Sequence, residues 1–265
     1  MRIKEYGKIV LYSIIFTYKI HIKWLPKINA VLENMIMPVI RGIFFILVAD
    51  FINDKEIIFY ITGTLCFTAV DASIGGVSTL ISSEKRFGTL YTVMGSVYHS
   101  VFLFWGRIIY WCMIGYVRFL FSYFILFFIF LPDQICMLDF FWYSFIYFII
   151  SISLSGIGYF IGILGMMKRN IMGLSNLIST LLLMFSGVYF SVEILPSAFR
   201  WCSYFSPLFY GIRLSRNIMI DHSYSNVFSD IVKMLLLGIG YMAIGILYFG
   251  KIEKWILMDG RIDNF

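Results

Sequence analysis

Apolar residues run through this chain in blocks of about membrane-crossing length, and the polar positions fall between them rather than alternating with them. A membrane helix needs about 20 consecutive, mostly apolar residues. That rule predicts six spans, at 28–49, 57–81, 108–131, 140–167, 171–190 and 231–249. The third is the least clear. From His99 to Leu131 the apolar run hardly breaks, and Arg107 stands near its start, so the part before residue 108 is read as an extension on the cytoplasmic side. Before the first span, Lys4, Lys8, Lys19 and Lys23 fall within an arc of roughly 100° on a helical projection. Residues 1–27 are therefore expected to form an amphipathic helix in the inner membrane interface, and 28–265 the membrane domain. The other reading of 1–27 is a plain lead-in to the first span. Pro26 suits a break between the two. The Gly-rich stretches "SIGGVST" and "SGIGYFIGILG" lie inside spans, where small residues let helices approach closely.

Composition removes the soluble classes. Hydrophobic residues make up 60% and charged residues 14%, against about 45–50% and about 25% in soluble domains. The fold class is an all-α integral membrane protein. The net charge of +6 then reports topology, since basic residues collect in cytoplasmic loops; it does not point to nucleic acid. Lys and Arg are concentrated in the first 27 residues, at Lys85 and Arg86, at Lys168 and Arg169, and in the tail. The opposite loops hold Lys55, Arg200, Arg213 and Arg216. Both termini are placed in the cytoplasm, with no cleavable signal expected.

Chemistry-bearing motifs are few. No G-x-x-x-x-G-K-[ST] loop is present to cradle nucleotide phosphates, and no H-E-x-x-H or G-x-S-x-G occurs. Cys66, Cys112, Cys136 and Cys202 make no C-x-x-C pair and read as packing thiols. No catalytic residue and no metal site are assigned. Arg41, Asp71, Arg107 and Arg118 interrupt or border apolar runs, where ionisable groups need partners or water. At about 1.5 Å per residue, Asp71 is about 21 Å along the second span and Arg118 about 20 Å from the end of the third. Similar depth on consecutive helices suggests an Asp71–Arg118 pair; lining a substrate path is the other reading.

Between the second and third spans lies "SSEKRFGTLYTVMGS", charged and helix-compatible in the middle of apolar sequence. Ser83 can cap a short helix there and Glu84 suits its first turn, with the charges turned toward a cytoplasmic partner. This stretch resembles the E-x-x-x-G-T-L segment of type-2 ABC exporter permeases, with Glu84, Gly88, Thr89 and Leu90 matching; Tyr91 stands where the family usually has a second acid. After the fifth span, Ser186, Gly187, Leu195, Pro196, Pro207 and Leu208, with Arg213 or Arg216, resemble the family's Ser-Gly…Leu-Pro…Pro-Leu…Arg pattern.

The resemblance implies that about 83–95, including Lys85 and Arg86, is a coupling helix to a separate ABC ATPase. It implies that about 187–216 forms short re-entrant helices at the outer end. It further implies a dimer of permeases, identical or homologous, with two ATPase subunits that hold ATP and magnesium, in a bacterial cytoplasmic membrane. This chain would bind no cofactor of its own. An amphipathic drug, antimicrobial peptide or lipid-like substrate is expected, with export of a lipid-linked glycan as the alternative. Two readings outside this class stay open: an ATPase-independent secondary transporter using Asp71 as an ion site, and a membrane protein that binds a toxic peptide without moving it.

Overall fold

The computed structural model of the chain describes residues 2–24, 27–51, 57–79, 84, 100–132, 136–167, 171–220, 222–224 and 227–259. Among the described residues nearly all are helical and none is in a strand. Helix α1 (Arg2–Trp24) precedes α2 (Lys27–Val31) and α3 (Met37–Phe51), which a π-helical turn, Leu32–Ile36, joins into one run. Helix α4 (Ile57–Val70) likewise passes into a π segment, Asp71–Gly76. Next come α5 (Ser100–Phe130), α6 (Met137–Met167) and α7 (Ile171–Phe185). A 3₁₀ turn (Val192–Ile194), α8 (Ser197–Tyr204), α9 (Pro207–Met219) and α10 (Val227–Asp259) complete the chain.

Among the described residues, five helices are long and apolar enough to cross a membrane: Leu32–Ala49, Ile57–Thr79, Phe102–Phe130, Met137–Gly165 and Val227–Ile252. The expected boundaries change in three places. The third span does not begin at 108, because α5 is continuous from Ser100 and Arg107 lies inside it, buried and paired. The fifth apolar helix ends at Phe185 rather than 190; its 15 residues reach about 22 Å, short of a hydrocarbon core of about 30 Å. Gly187, at φ +83°, ends that run with a left-handed turn open to glycine. The last helix extends beyond 231–249 at both ends.

Lipid gives little hydrophobic drive for one helix to bind another, so close backbone approach and interior hydroxyl bonds carry the packing. Helix α6 is at the centre. A Cβ on Gly158 would lie 2.1 Å from the carbonyl oxygen of Ser73, and one on Gly156 2.5 Å from that of Gly238. The first contact seats α6 on the π segment of the second span, and the second seats α10 on α6. Tyrosines close the interior: Tyr147 donates to Gly115 O at 2.8 Å, and Tyr143 to Thr62 O at 3.0 Å. Phe119 stacks on Tyr147 with ring centroids 4.2 Å apart. The second, third and fourth spans are thereby tied through buried side chains rather than through loops.

Helix α1 exposes Lys8, Lys19 and Lys23 together with Leu11, Tyr12 and Phe16, whereas Ile9, Ser13 and Thr17 are buried. Its inner face lies on α5, where Ser13 Oγ donates to Leu103 O at 2.6 Å. Gly106 permits that contact, since a Cβ there would fall 2.6 Å from Val10 O.

Candidate functional site

Two charge centres on α5 organise the membrane domain. The deeper one is Arg118. Its Nε donates to Asn34 Oδ1 at 2.8 Å and its Nη1 to Asp71 Oδ2 at 2.6 Å. The first acceptor lies in the π turn of the first span and the second at the head of the π segment of the second. Both irregularities have local causes. Pro38 follows Asn34 by four residues, and a proline ring clashes with the carbonyl four residues back, which opens the helical ladder there. Gly75 and Gly76 close the second segment, and paired small residues weaken regular helix. A π turn re-aims the side chains it carries and is frequent at functional sites. Here two such turns bring two polar side chains to one arginine.

The centre is asymmetric in exposure. The Arg118 side chain is 8% exposed and that of Asp71 54%. A carboxylate at this depth is too costly to face acyl chains, so the face of the second span that carries Asp71 must meet water, protein or a polar ligand. Nearby, a cavity of about 510 Å³ opens between α1, the first π turn and α5, lined by Tyr18, Val31, Asn34, Met113 and Val117 among others. Its walls are apolar apart from Asn34 and the tyrosine hydroxyls. At its rim His21 Nδ1 is 2.7 Å from Tyr110 Oη. Burial, and then the charge of Arg118, lowers the His21 pKa below its ordinary value, so His21 is neutral at pH 7. Arg41, the third expected intramembrane charge, stands apart from this cluster and stacks over Phe67, 3.8 Å from the ring centroid.

The second centre lies near the start of α5. Arg107 and Glu84 form an ion pair, each side chain 7% exposed. This corrects one expectation: Glu84 does not face outward toward a partner but inward, against the third span. The pairing has a physical reason, since Arg107 inside an apolar helix needs a counter-charge and Glu84 is the acid the insert supplies. Lys85, Arg86, Gly88, Thr89 and Leu90, and the rest of 83–95, lie outside the described residues.

The segment after α7 is folded back onto the domain. Ser186 and Ser206 share a hydrogen bond at 2.6 Å, and Leu195, Pro207 and Leu208 are buried, whereas Pro196 is exposed at the head of α8. Arg216 carries the return. It donates to Gly187 O at 2.7 Å, Val188 O at 3.0 Å and Phe59 O at 3.4 Å, and stacks 3.3 Å from the Phe59 ring centroid. Gly63 lets Val188 come in, because a Cβ there would sit 2.4 Å from its carbonyl oxygen. Arg213 pairs with buried Asp230 at the start of α10, its Nε 2.9 Å from Oδ2.

Sequence reading did not single out Asn34, the two π turns or the Glu84–Arg107 pair. Pro38 four residues after Asn34 and the glycine pair after Asp71 were the available signals. No local signal joins Glu84 to Arg107, because only the tertiary fold sets their distance. Among the described residues no group of three His, Cys, Asp or Glu is placed to hold a metal ion.

A comparison with curated proteins found no match. Residues 21–220 match the model of the family described as ABC-2 type transporter. That stretch holds both charge centres, the insert and the folded-back helices. By that match and by its bundle of membrane-length helices, the chain belongs to the ABC-2 type transporters, as a membrane permease component.

Proposed function

We propose that this permease works as a dimer with two ABC ATPase subunits and moves an amphipathic drug, antimicrobial peptide or lipid-like substrate outward across a bacterial cytoplasmic membrane. ATP and magnesium are held by the ATPases. They dock on the insert at about 83–95, with Lys85, Arg86, Gly88, Thr89 and Leu90 at the contact, and both termini lie on that cytoplasmic side. The helices at about 187–216 close the outer end.

The observation that carries this reading is the buried Glu84–Arg107 pair. It fastens the beginning of the insert to α5, and α5 also bears Arg118. Arg107 and Arg118 are about 16 Å apart along one helix at 1.5 Å per residue. A displacement of the insert therefore moves α5, and α5 moves the first two spans through Asn34 and Asp71. The apolar cavity beside Asn34 and the half-exposed Asp71 favour a substrate with an apolar body and a polar or cationic group over a lipid-linked glycan.

The test uses the purified chain with its ATPase in vesicles. Gly88→Val places a side chain at the docking contact and is expected to abolish ATPase co-purification. Arg107→Gln is expected to leave co-purification near wild type and to cut ATP-driven export about tenfold, within the ~0.5–2 kcal/mol by which coupling mutations act. Wild-type export by both variants removes the coupling assignment. Orientation is checked separately by thiol labelling. Exposed Cys136 and Cys202 are expected to react with an impermeant reagent in intact cells. Lys85→Cys and Lys168→Cys are expected to react only after lysis, and labelling of both from outside overturns the orientation.

A further inference from the structure

Helix α1 touches α5 along a narrow seam of Ser13, Thr17 and Gly106, and a groove is left on each side of it. The two grooves are similar in size and different in chemistry. The one toward the first span is the apolar cavity of about 510 Å³ described above. The other, about 480 Å³, is walled by Tyr12, Ile15, Phe16 and Leu103 and carries two cations, Lys19 and Arg107. Among the described residues none that lines it is acidic. Lys19 is exposed, and Arg107 lies on the floor, 6% exposed, with Phe16 and Phe104 near its guanidinium. Glu84 engages Nη1, whereas Nε is buried and has no hydrogen-bond partner among the described residues.

We propose that this second groove binds one anionic phospholipid of the leaflet beside α1, its acyl chain along Ile15, Phe16 and Leu103 and its phosphate between Lys19 and Arg107. Three observations converge. The walls are mostly apolar and are shared by α1 and the Phe102–Phe130 span, so they suit a chain and offer little to a free phosphate. Arg107 stands five residues after the start of the Phe102–Phe130 span, about 7.5 Å along the helix, which is near headgroup depth. The guanidinium has Nη1 committed to Glu84 and an Nε that lacks a partner among the described residues, and a phosphate oxygen is the acceptor chemistry that Arg takes best. A net anionic headgroup is selected, because the ammonium of a zwitterionic lipid would be brought beside Lys19. The apolar groove on the other side of α1 has no cation among its described wall residues and takes no headgroup. The site depends on α1 lying at a membrane surface and not on the ATPase reading, so its test involves no transport.

The full chain is purified in detergent, incubated with equal amounts of dioleoyl phosphatidylglycerol and dioleoyl phosphatidylcholine, and examined by native mass spectrometry. Retention of one phosphatidylglycerol is expected, in preference to phosphatidylcholine by about fivefold for each cation engaged. Lys19→Glu is expected to remove the preference and Leu103→Trp to block retention of either lipid, while Val117→Trp in the apolar groove leaves both unchanged. Phosphatidylglycerol that protects the fold of wild type but not of Lys19→Glu against heating gives the same answer in an independent measurement. Equal retention of the two lipids, or retention unaltered by both Lys19→Glu and Leu103→Trp, overturns the proposal. So does equal stabilisation by inorganic phosphate, which would mark a simple anion site, or a groove found closed by residues 85–99.

Discussion

Asp71→Asn is expected to destabilise the membrane domain by about 3 kcal/mol, near the lower end of what breaking a buried ion pair costs. The reason is the asymmetry of the pair. Arg118 is 8% exposed, so removing the carboxylate leaves a buried guanidinium with Asn34 as its remaining hydrogen-bond partner among the described residues. Arg118→Gln is expected to cost less, because the carboxylate it abandons is 54% exposed on the single chain. The double variant should be less damaged than the sum of the singles, with a coupling energy of about 1–3 kcal/mol. Denaturation of the detergent-solubilised chain followed by helix content gives all three values. Additive losses would mean that the contact at 2.6 Å carries no energy. Asn34→Leu distinguishes a pair from a three-residue centre. If the π turn of the first span matters through Asn34, this change should also weaken the Asp71–Arg118 coupling, because Arg118 loses the contact that orients its fork.

Arg216→Met should be the second severe change, at about 3 kcal/mol or more, since hydrogen bonds from a charged donor are each worth about 1.5–3 kcal/mol. This arginine gathers three backbone carbonyls, two of them in the turn after α7 and the third in the second span. In a membrane domain those carbonyls have little water to fall back on. Arg216→Lys should recover less than half of the loss. An ammonium cannot lie flat on Phe59 and reach the carbonyls on both sides of it. The readout is the thermal midpoint in detergent together with protease access to the 186–196 turn. An unchanged midpoint for Arg216→Met would show that the turn is held by the packing of Leu195 and Leu208 alone.

Much of this architecture is already written in the order of residues along the chain. Apolar runs of membrane length follow from composition, because every backbone group in lipid must be satisfied within its own helix. The lysine arc of α1, the location of the insert, and the Ser186-Gly187 end of α7 are likewise local features. Their physics acts over a turn or two, so a linear reading reaches them. The depth match of Asp71 and Arg118 was legible too, since rise per residue converts sequence position directly into distance.

What the tertiary structure decided are the contacts whose partners are far apart in the chain or whose helices depart from regular rise. Asn34 is 84 residues from Arg118, and only the π turn before Pro38 aims it there. Glu84 belongs to a segment that reads as charged and outward-facing, yet the fold supplies Arg107 and turns the carboxylate inward. The fifth span, expected at 171–190, was shortened by a glycine in the left-handed region and by a segment that returns to Arg216. In each case the local pattern allows several arrangements of similar energy. The one adopted is the one that gives a buried charge or carbonyl its partner, and that choice depends on how the helices pack.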